Sequence, residues 1–190
     1  MFRKVTSILL MVVLLLSIVG CTKGGDANEI AQNFVNDIAS GKGYKSIHKY
    51  IEYNESLELN KDSNGNYKVV YSYDDGQVDE VYKIGTEYAV YINGEVNTEY
   101  YNDEELQEMI DAAIEDIEFY PADSLEVFDP DIESDIKEAD GKDAFVAYGT
   151  YDDNTDYEYF YGTDGSYFEL LDVYDDIRID LDDTFVVELP

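Results

Sequence analysis

The chain has 190 residues, 45% hydrophobic and 14% aromatic, with 44 Asp and Glu against 12 Lys and Arg and a formal charge of −32. Such a polymer repels nucleic acid and anionic lipid headgroups, which excludes nucleic-acid binding, and it favours cations or basic partners. A single cysteine and a single histidine leave no disulfide framework and no histidine metal cluster, while nineteen tyrosines are too many for a disordered acidic chain.

Met1-Phe2-Arg3-Lys4 is a short basic start, and residues 8–19 are almost unbroken apolar sequence, the build of an export signal. The apolar stretch of residues 5–20 falls short of the ~20 residues that a membrane span needs. It closes in Leu14-Leu15-Leu16-Ser17-Ile18-Val19-Gly20-Cys21, with an aliphatic residue three before the cysteine and a small one directly before it. This resembles the lipobox of bacterial lipoproteins. The resemblance implies cleavage before Cys21 and attachment there of a diacylglycerol, often with a further acyl chain such as palmitate. The mature protein would then be membrane-anchored and extracytoplasmic, at the cell surface or on the periplasmic side. Each buried methylene contributes ~0.8 kcal/mol, so two or three acyl chains hold a protein on a bilayer without a span. Residues 1–20 are therefore expected to be a signal peptide, 21–26 a lipidated tether and 27–190 one domain. The leader holds two of the twelve cations and none of the acids, leaving ten against 44, a formal −34. With Cys21 lipidated, the domain has no thiol nucleophile.

Beyond the tether, Asp26 and Glu29 have the spacing of a capping box. Ile30, Ala31, Phe34, Val35 and Ile38 then form one apolar helix face, closed by Gly41 and Gly43. From Tyr44 the period becomes two, as in a strand, although a short helix over 43–51 also fits. Strands are expected over 55–61, 67–73, 80–84, 87–92 and 95–101. They are separated by Asn64-Gly65, Asp75-Gly76, Gly85-Thr86 and Asn93-Gly94, an antiparallel meander. Asn102 with Glu105 opens a second helix carrying Leu106, Met109, Ile110, Ala113, Ile114 and Ile117. Pro121 and Pro130 bracket an irregular acidic connection, and residues 131–139 read as a short helix with Ile132 and Ile136. Strands follow over 143–151, 156–161, 167–174, 177–181 and 185–189, with a reversal at Asp175-Asp176. The order specifies an α+β domain: a curved antiparallel sheet, a half-barrel, with helices packed on its concave face.

Four features together resemble the LolA/LolB and LppX-type superfamily of lipoprotein and lipid carriers. They are the N-terminal helix leading into Tyr44-Lys45-Ser46-Ile47-His48, the meander through residues 81–91, the acidic amphipathic helix, and a terminal strand ending in Val187-Glu188-Leu189-Pro190. The resemblance implies a concave face that holds acyl chains under a helical lid, lined here by Tyr71, Tyr82, Val90, Ile92, Met109, Ile110, Phe145 and Leu171. The same positions also fit ordinary sheet–helix core.

Catalysis is not expected. There is no G-x-S-x-G elbow to accompany His48, no P-loop and no G-x-G-x-x-G, and no cofactor is implied. Asp62-x-Asn64-x-Asn66 opens like a calcium loop, but Tyr67 stands where the loop glycine belongs and Tyr73 at position 12, so a hairpin turn explains it better. Asp152, Asp153, Asp156, Asp172, Asp175 and Asp176 would form a surface cation site only if their loops converge. Three functions stay open: a carrier of a lipid or acyl chain, a filled-core interaction lipoprotein for a basic protein or cell-wall partner, and a calcium-dependent module.

Overall fold

The computed structural model describes residues 23–97, 101–128, 135–139, 141–150 and 155–190. The expected signal peptide, Cys21, Ile132, Asp152 and Asp153 lie outside them. Helix α1 (Lys23–Ala39) leads into a meander of β1 (Tyr44–Tyr50), β2 (Glu55–Lys61), β3 (Tyr67–Ser72), β4 (Val78–Ile84), β5 (Glu87–Ile92) and β6 (Glu95–Asn97). Helix α2 (Asp103–Ser124) follows. A second run of strands then completes the chain: β7 (Asp135–Ala139), β8 (Lys142–Thr150), β9 (Asp156–Gly162), β10 (Tyr167–Leu171) and β11 (Asp175–Leu181).

All eleven strands join one antiparallel sheet in the order β6-β5-β4-β3-β2-β1-β11-β10-β9-β8-β7. The two meanders meet where β1 pairs with β11, Tyr44 opposite Leu181 and Tyr50 opposite Asp175. The sheet is curved and does not close, and both helices pack on its concave face, the half-barrel expected from the order of elements. Because side chains alternate across a strand, register decides what faces inward. One inward row runs Val90, Val81, Val69, Leu59, Ser46, Ile179, Phe168, Tyr161, Phe145 from one meander into the other. Apart from the polar Ser46, these side chains form the main core with Ala27, Ala31, Phe34 and Ile38 of α1 and Leu106, Ile110, Ala113 and Ile117 of α2. A smaller cluster of Ala144, Val146, Phe160 and Tyr167 lies on the outer face.

The hairpin turns follow the predicted chemistry, with φ of 79° at Gly65, 88° at Gly76 and 80° at Gly94. The α2 cap also forms as its spacing requires. Asn102 Oδ1 accepts from the amides of Glu104 and Glu105, and Glu105 Oε2 accepts from the Asn102 amide.

Five boundaries differ from expectation. Helix α1 runs back to Lys23, so part of the supposed tether is helical; Gly24 and Gly25 fall in its first turn, where amides have no intrahelical partner in any case. Helix α2 continues through Pro121 to Ser124, because a proline so near the end removes little of the helix ladder and Ser124 Oγ donates to the Pro121 carbonyl at 2.8 Å. Residues 135–139 form the edge strand β7 rather than a helix, since pairing with β8, Ile136 opposite Phe145, supplies their backbone partners. Asp175 and Asp176 belong to β11 opposite Tyr50 and Lys49, and the reversal sits just before them. Residues 185–189 make no strand; Asp182 Oδ1 holds the Phe185 amide at 3.1 Å and Asp62 Oδ2 holds that of Val187 at 3.2 Å.

Candidate functional site

Helix α2 lies across the inner face and presents a narrow apolar stripe, Leu106, Ile110, Ala113, Ile117 and Pro121, spaced by three or four residues. Either side of that stripe carries polar contacts to the sheet. Gln107 Oε1 accepts from Lys83 Nζ at 2.7 Å and from the Tyr88 hydroxyl. The Met109 carbonyl accepts from the Tyr71 hydroxyl at 3.1 Å, and Glu118 Oε1 from the Tyr44 hydroxyl at 2.9 Å. Asp123 Oδ2 accepts from the Tyr159 hydroxyl at 3.2 Å, while Ser124 Oγ lies 2.8 Å from that of Tyr161. Burial pushes the Tyr71 phenol up to about 12, and it raises Tyr44 further, helped by Glu118.

His48 anchors the middle of this arrangement. Its ring is 1% exposed, with Nδ1 2.7 Å from Asp116 Oδ2 on α2 and Nε2 2.8 Å from Asp175 Oδ1 on β11. Only the imidazolium carries a proton on both nitrogens and can donate to both carboxylates. Burial alone would depress its pKa, but the two carboxylates outweigh that cost and the value is raised. Tyr50 stacks on the ring at 3.9 Å and donates to the same Asp116 oxygen at 3.2 Å, and Tyr120 approaches edge-on at 5.5 Å. The imidazole therefore clamps a helix to two strands.

Nearer the Tyr44 end of the sheet, an inward row alternates Tyr44, Lys61, Tyr67, Lys83, Tyr88. Lys61 Nζ lies over the Tyr44 and Tyr67 rings at 5.6 and 5.9 Å, and Lys83 Nζ over Tyr67 and Tyr88 at 6.0 and 5.8 Å.

Of the eight residues expected to line a cavity, Tyr71, Val90, Ile92 and Phe145 face inward and belong to the same filled core as Met109 and Ile110, Phe145 from the far meander on β8. The structure separates the other two from them. Tyr82 alternates with inward Val81 and so faces out, where Lys68 lies 5.3 Å over its ring and Tyr91 packs edge-on at 5.6 Å. Leu171 likewise faces out beside inward Leu170 and borders an open groove of about 550 Å³, with Lys49, Lys137, Glu158, Phe160 and Arg178. His48, Lys61, Lys83, Gln107, Asp116 and Glu118 carry the polar part of the inner face, and no local motif singles them out.

Asp62, which opens the calcium-like spacing, spends both oxygens within the protein: Oδ1 on the amides of Asn64 and Asn66, Oδ2 on the Asn66 side chain and the Val187 amide. Among the described residues, no three acidic, cysteine or histidine side chains are grouped to hold a metal ion. Nor is any described helix long and apolar enough to cross a membrane.

No family model matches the chain, and no curated protein matches it in sequence. Among solved structures it is similar to the lipoprotein LppX of Mycobacterium tuberculosis, at 11% identity and a TM-score of 0.43, over 85% of this chain and 97% of that one. Overlap at that level leaves the function to be argued from this chain's own residues.

Proposed function

We propose that the protein is a membrane-anchored, extracytoplasmic lipoprotein that binds an apolar ligand, a lipid or acyl chain, between its concave sheet face and α2. The observation that carries this reading is the make-up of the α2 contact. One apolar stripe meets inward rows of Leu57, Leu59, Val69, Val81, Ile177 and Ile179, while the surrounding contacts are hydrogen bonds from single side chains. Polar contacts of that kind can exchange with water at a net cost of ~1–3 kcal/mol each, the upper end for those to charged groups, so lifting α2 uncovers a continuous apolar surface without breaking the sheet. Retention would come from burial alone, with no covalent chemistry. The role is non-catalytic and needs no cofactor beyond the acyl groups on Cys21: the lone imidazole is engaged through both nitrogens.

A soluble Cys21→Ser form tests this. Organic extraction followed by mass spectrometry should recover acyl lipid from it, and delipidation should lower its melting temperature. A form that stays empty after incubation with acyl lipid, with unchanged melting, would overturn the reading. The anchor is checked separately by the intact mass of the membrane-extracted protein, which should begin at residue 21 and carry the added lipid.

A second function has its own support. Ile110 and Ile117 are fully buried and Ala113 is 1% exposed, so the inner layer is filled as it stands. A filled domain with so acidic a surface suits a basic protein or cell-wall partner. Capture of such a partner by the empty soluble form, abolished at high salt, would favour this alternative.

A further inference from the structure

Ten cations face 44 acids beyond residue 20, so a lysine in this domain should find a carboxylate easily. Five outward ones do, while Lys142 lies over the outward Tyr167 ring at 5.1 Å. Lys42, Lys45, Lys49, Lys68 and Lys137 hold Asp37, Asp182, Asp176, Glu80 and Glu158 at 2.6 to 3.2 Å. Two lysines on the inner face depart from that pattern. The Lys61 side chain is only 13% exposed, and its one ion-pair partner among the described residues is Glu118 at 3.8 Å, beyond hydrogen-bond reach. Lys83 donates at 2.7 Å to the neutral amide oxygen of Gln107. Both lean on the face of Tyr67, at 5.9 and 6.0 Å from its centroid. A largely buried ammonium is costly unless an anion meets it, and ring faces recover only part of that cost.

We propose that Lys61 and Lys83, seated between Tyr44, Tyr67 and Tyr88, bind the anionic head group, carboxylate or phosphate, of an amphiphile whose acyl chain lies along the inward apolar rows. This rests on the apolar-ligand reading above and names the ligand class for the same site. In the closed form Glu118 and Gln107 of α2 stand where the head group goes. Binding therefore exchanges a loose carboxylate and a neutral amide for one well-placed anion and releases this flank of α2. Glu118 and, nearby, Asp111 move towards water, where their charge is solvated. The chain's own negative field opposes approach of the anion, but salt screens that field beyond about 10 Å at 0.1 M while the contact pair is screened far less. Affinity for the charged amphiphile should accordingly rise between very low and moderate salt.

The test titrates the soluble Cys21→Ser protein with palmitate, palmitoyl lysophosphatidate and palmityl alcohol, all below their aggregation concentrations, by calorimetry. The favoured anion should bind about tenfold or more tightly than the alcohol, the worth of one charge-assisted hydrogen bond. The other anion's rank shows whether the site takes carboxylate or phosphate. Lys61→Met with Lys83→Met should erase that preference and leave the alcohol unaffected. Glu118→Gln should tighten the anions alone, a gain that lysines with a merely structural role would not produce, and this comparison decides the matter if the double lysine variant does not fold. Equal binding of acid and alcohol by the parent protein, or a preference that survives loss of both lysines, overturns the head-group assignment. Failure of all three compounds to bind overturns the apolar-ligand reading with it.

Discussion

Replacing Ile110 by alanine asks how tightly α2 is packed on the sheet. Ile110 is fully buried in the middle of the apolar stripe, one turn from Leu106 and two from Ile117. The substitution removes three carbons, a transfer loss of about 2.4 kcal/mol at ~0.8 kcal/mol per methylene. The unfilled space raises the total to about 3–4 kcal/mol, within the span measured for large-to-alanine changes in cores. Against a domain stability of ~5–15 kcal/mol that is a large fraction. Urea unfolding followed by far-UV circular dichroism should show it, because an m-value of ~1–3 kcal/mol/M converts such a loss into a midpoint shift of about 1–4 M. Amide exchange adds the location: if α2 lifts while the sheet persists, the variant's α2 amides should exchange faster than those of β1 and β11. A loss below about 1 kcal/mol, with α2 exchange unchanged, would refute a filled layer at this position.

Three further outcomes are expected. His48, whose folded pKa is raised, contributes stability in full below its unfolded value near 6.5 and loses it as pH rises through the folded value. The urea midpoint of the parent should therefore fall over that window while His48→Gln stays flat, and since the chain has one histidine, its imidazole NMR signals follow the same proton directly. Asp62→Ala removes the acceptor for three turn donors and for the Val187 amide, at a cost of about 2 kcal/mol and with faster exchange at Val187. Hydrogen bonds hold the Asp62 pKa below the ordinary carboxylate value against the opposing effect of burial, so its contribution is present above about pH 4 and fades as pH drops through the folded value. Gly43→Ala places a methyl 2.7 Å from the Asp182 carbonyl and 3.3 Å from that of Lys61, both backbone, and should destabilise by about 1–3 kcal/mol in thermal melts where Gly65→Ala, with nothing near its Cβ, suffers only backbone strain.

What could be read before folding was whatever the chain settles within a few residues. Asn64-Gly65 and Gly85-Thr86 set their hairpins, and with them the pairs Lys61–Tyr67 and Lys83–Tyr88. Asn102 and Glu105 set the start of α2. The union of the two hairpins into one Tyr–Lys ladder was a longer step, because it needs the register of β3 on β4. The meeting of β1 with β11 was beyond reach, and with it the placing of His48 beside Asp175, 127 positions away. Composition hid the rest. Among 44 acids no pattern marks Asp116, Asp175 and Glu118 as the ones that face a cation indoors. Pro121 and residues 135–139 misled for the opposite reason: a local preference was read there, and the Tyr161 hydroxyl on the Pro121 carbonyl and strand β8 beside residues 135–139 overrode it.

The two kinds of contact under α2 do different jobs, and that division ties fold to function. Leu106, Ile110, Ala113 and Ile117 repeat at three and four residues, so the stripe offers nearly the same apolar surface if the helix slides by one turn. Burial therefore holds α2 to the sheet without choosing its position. The choice falls to directional bonds at fixed distances: Asp116 on the buried His48, Gln107 on Lys83, Glu118 on Tyr44. Each of those bonds can be surrendered singly to water or to a ligand's polar end, whereas the stripe must give way as a whole. A helix held in this manner is located accurately and still able to leave, which is what the proposed role of a cover over an acyl-binding face would require.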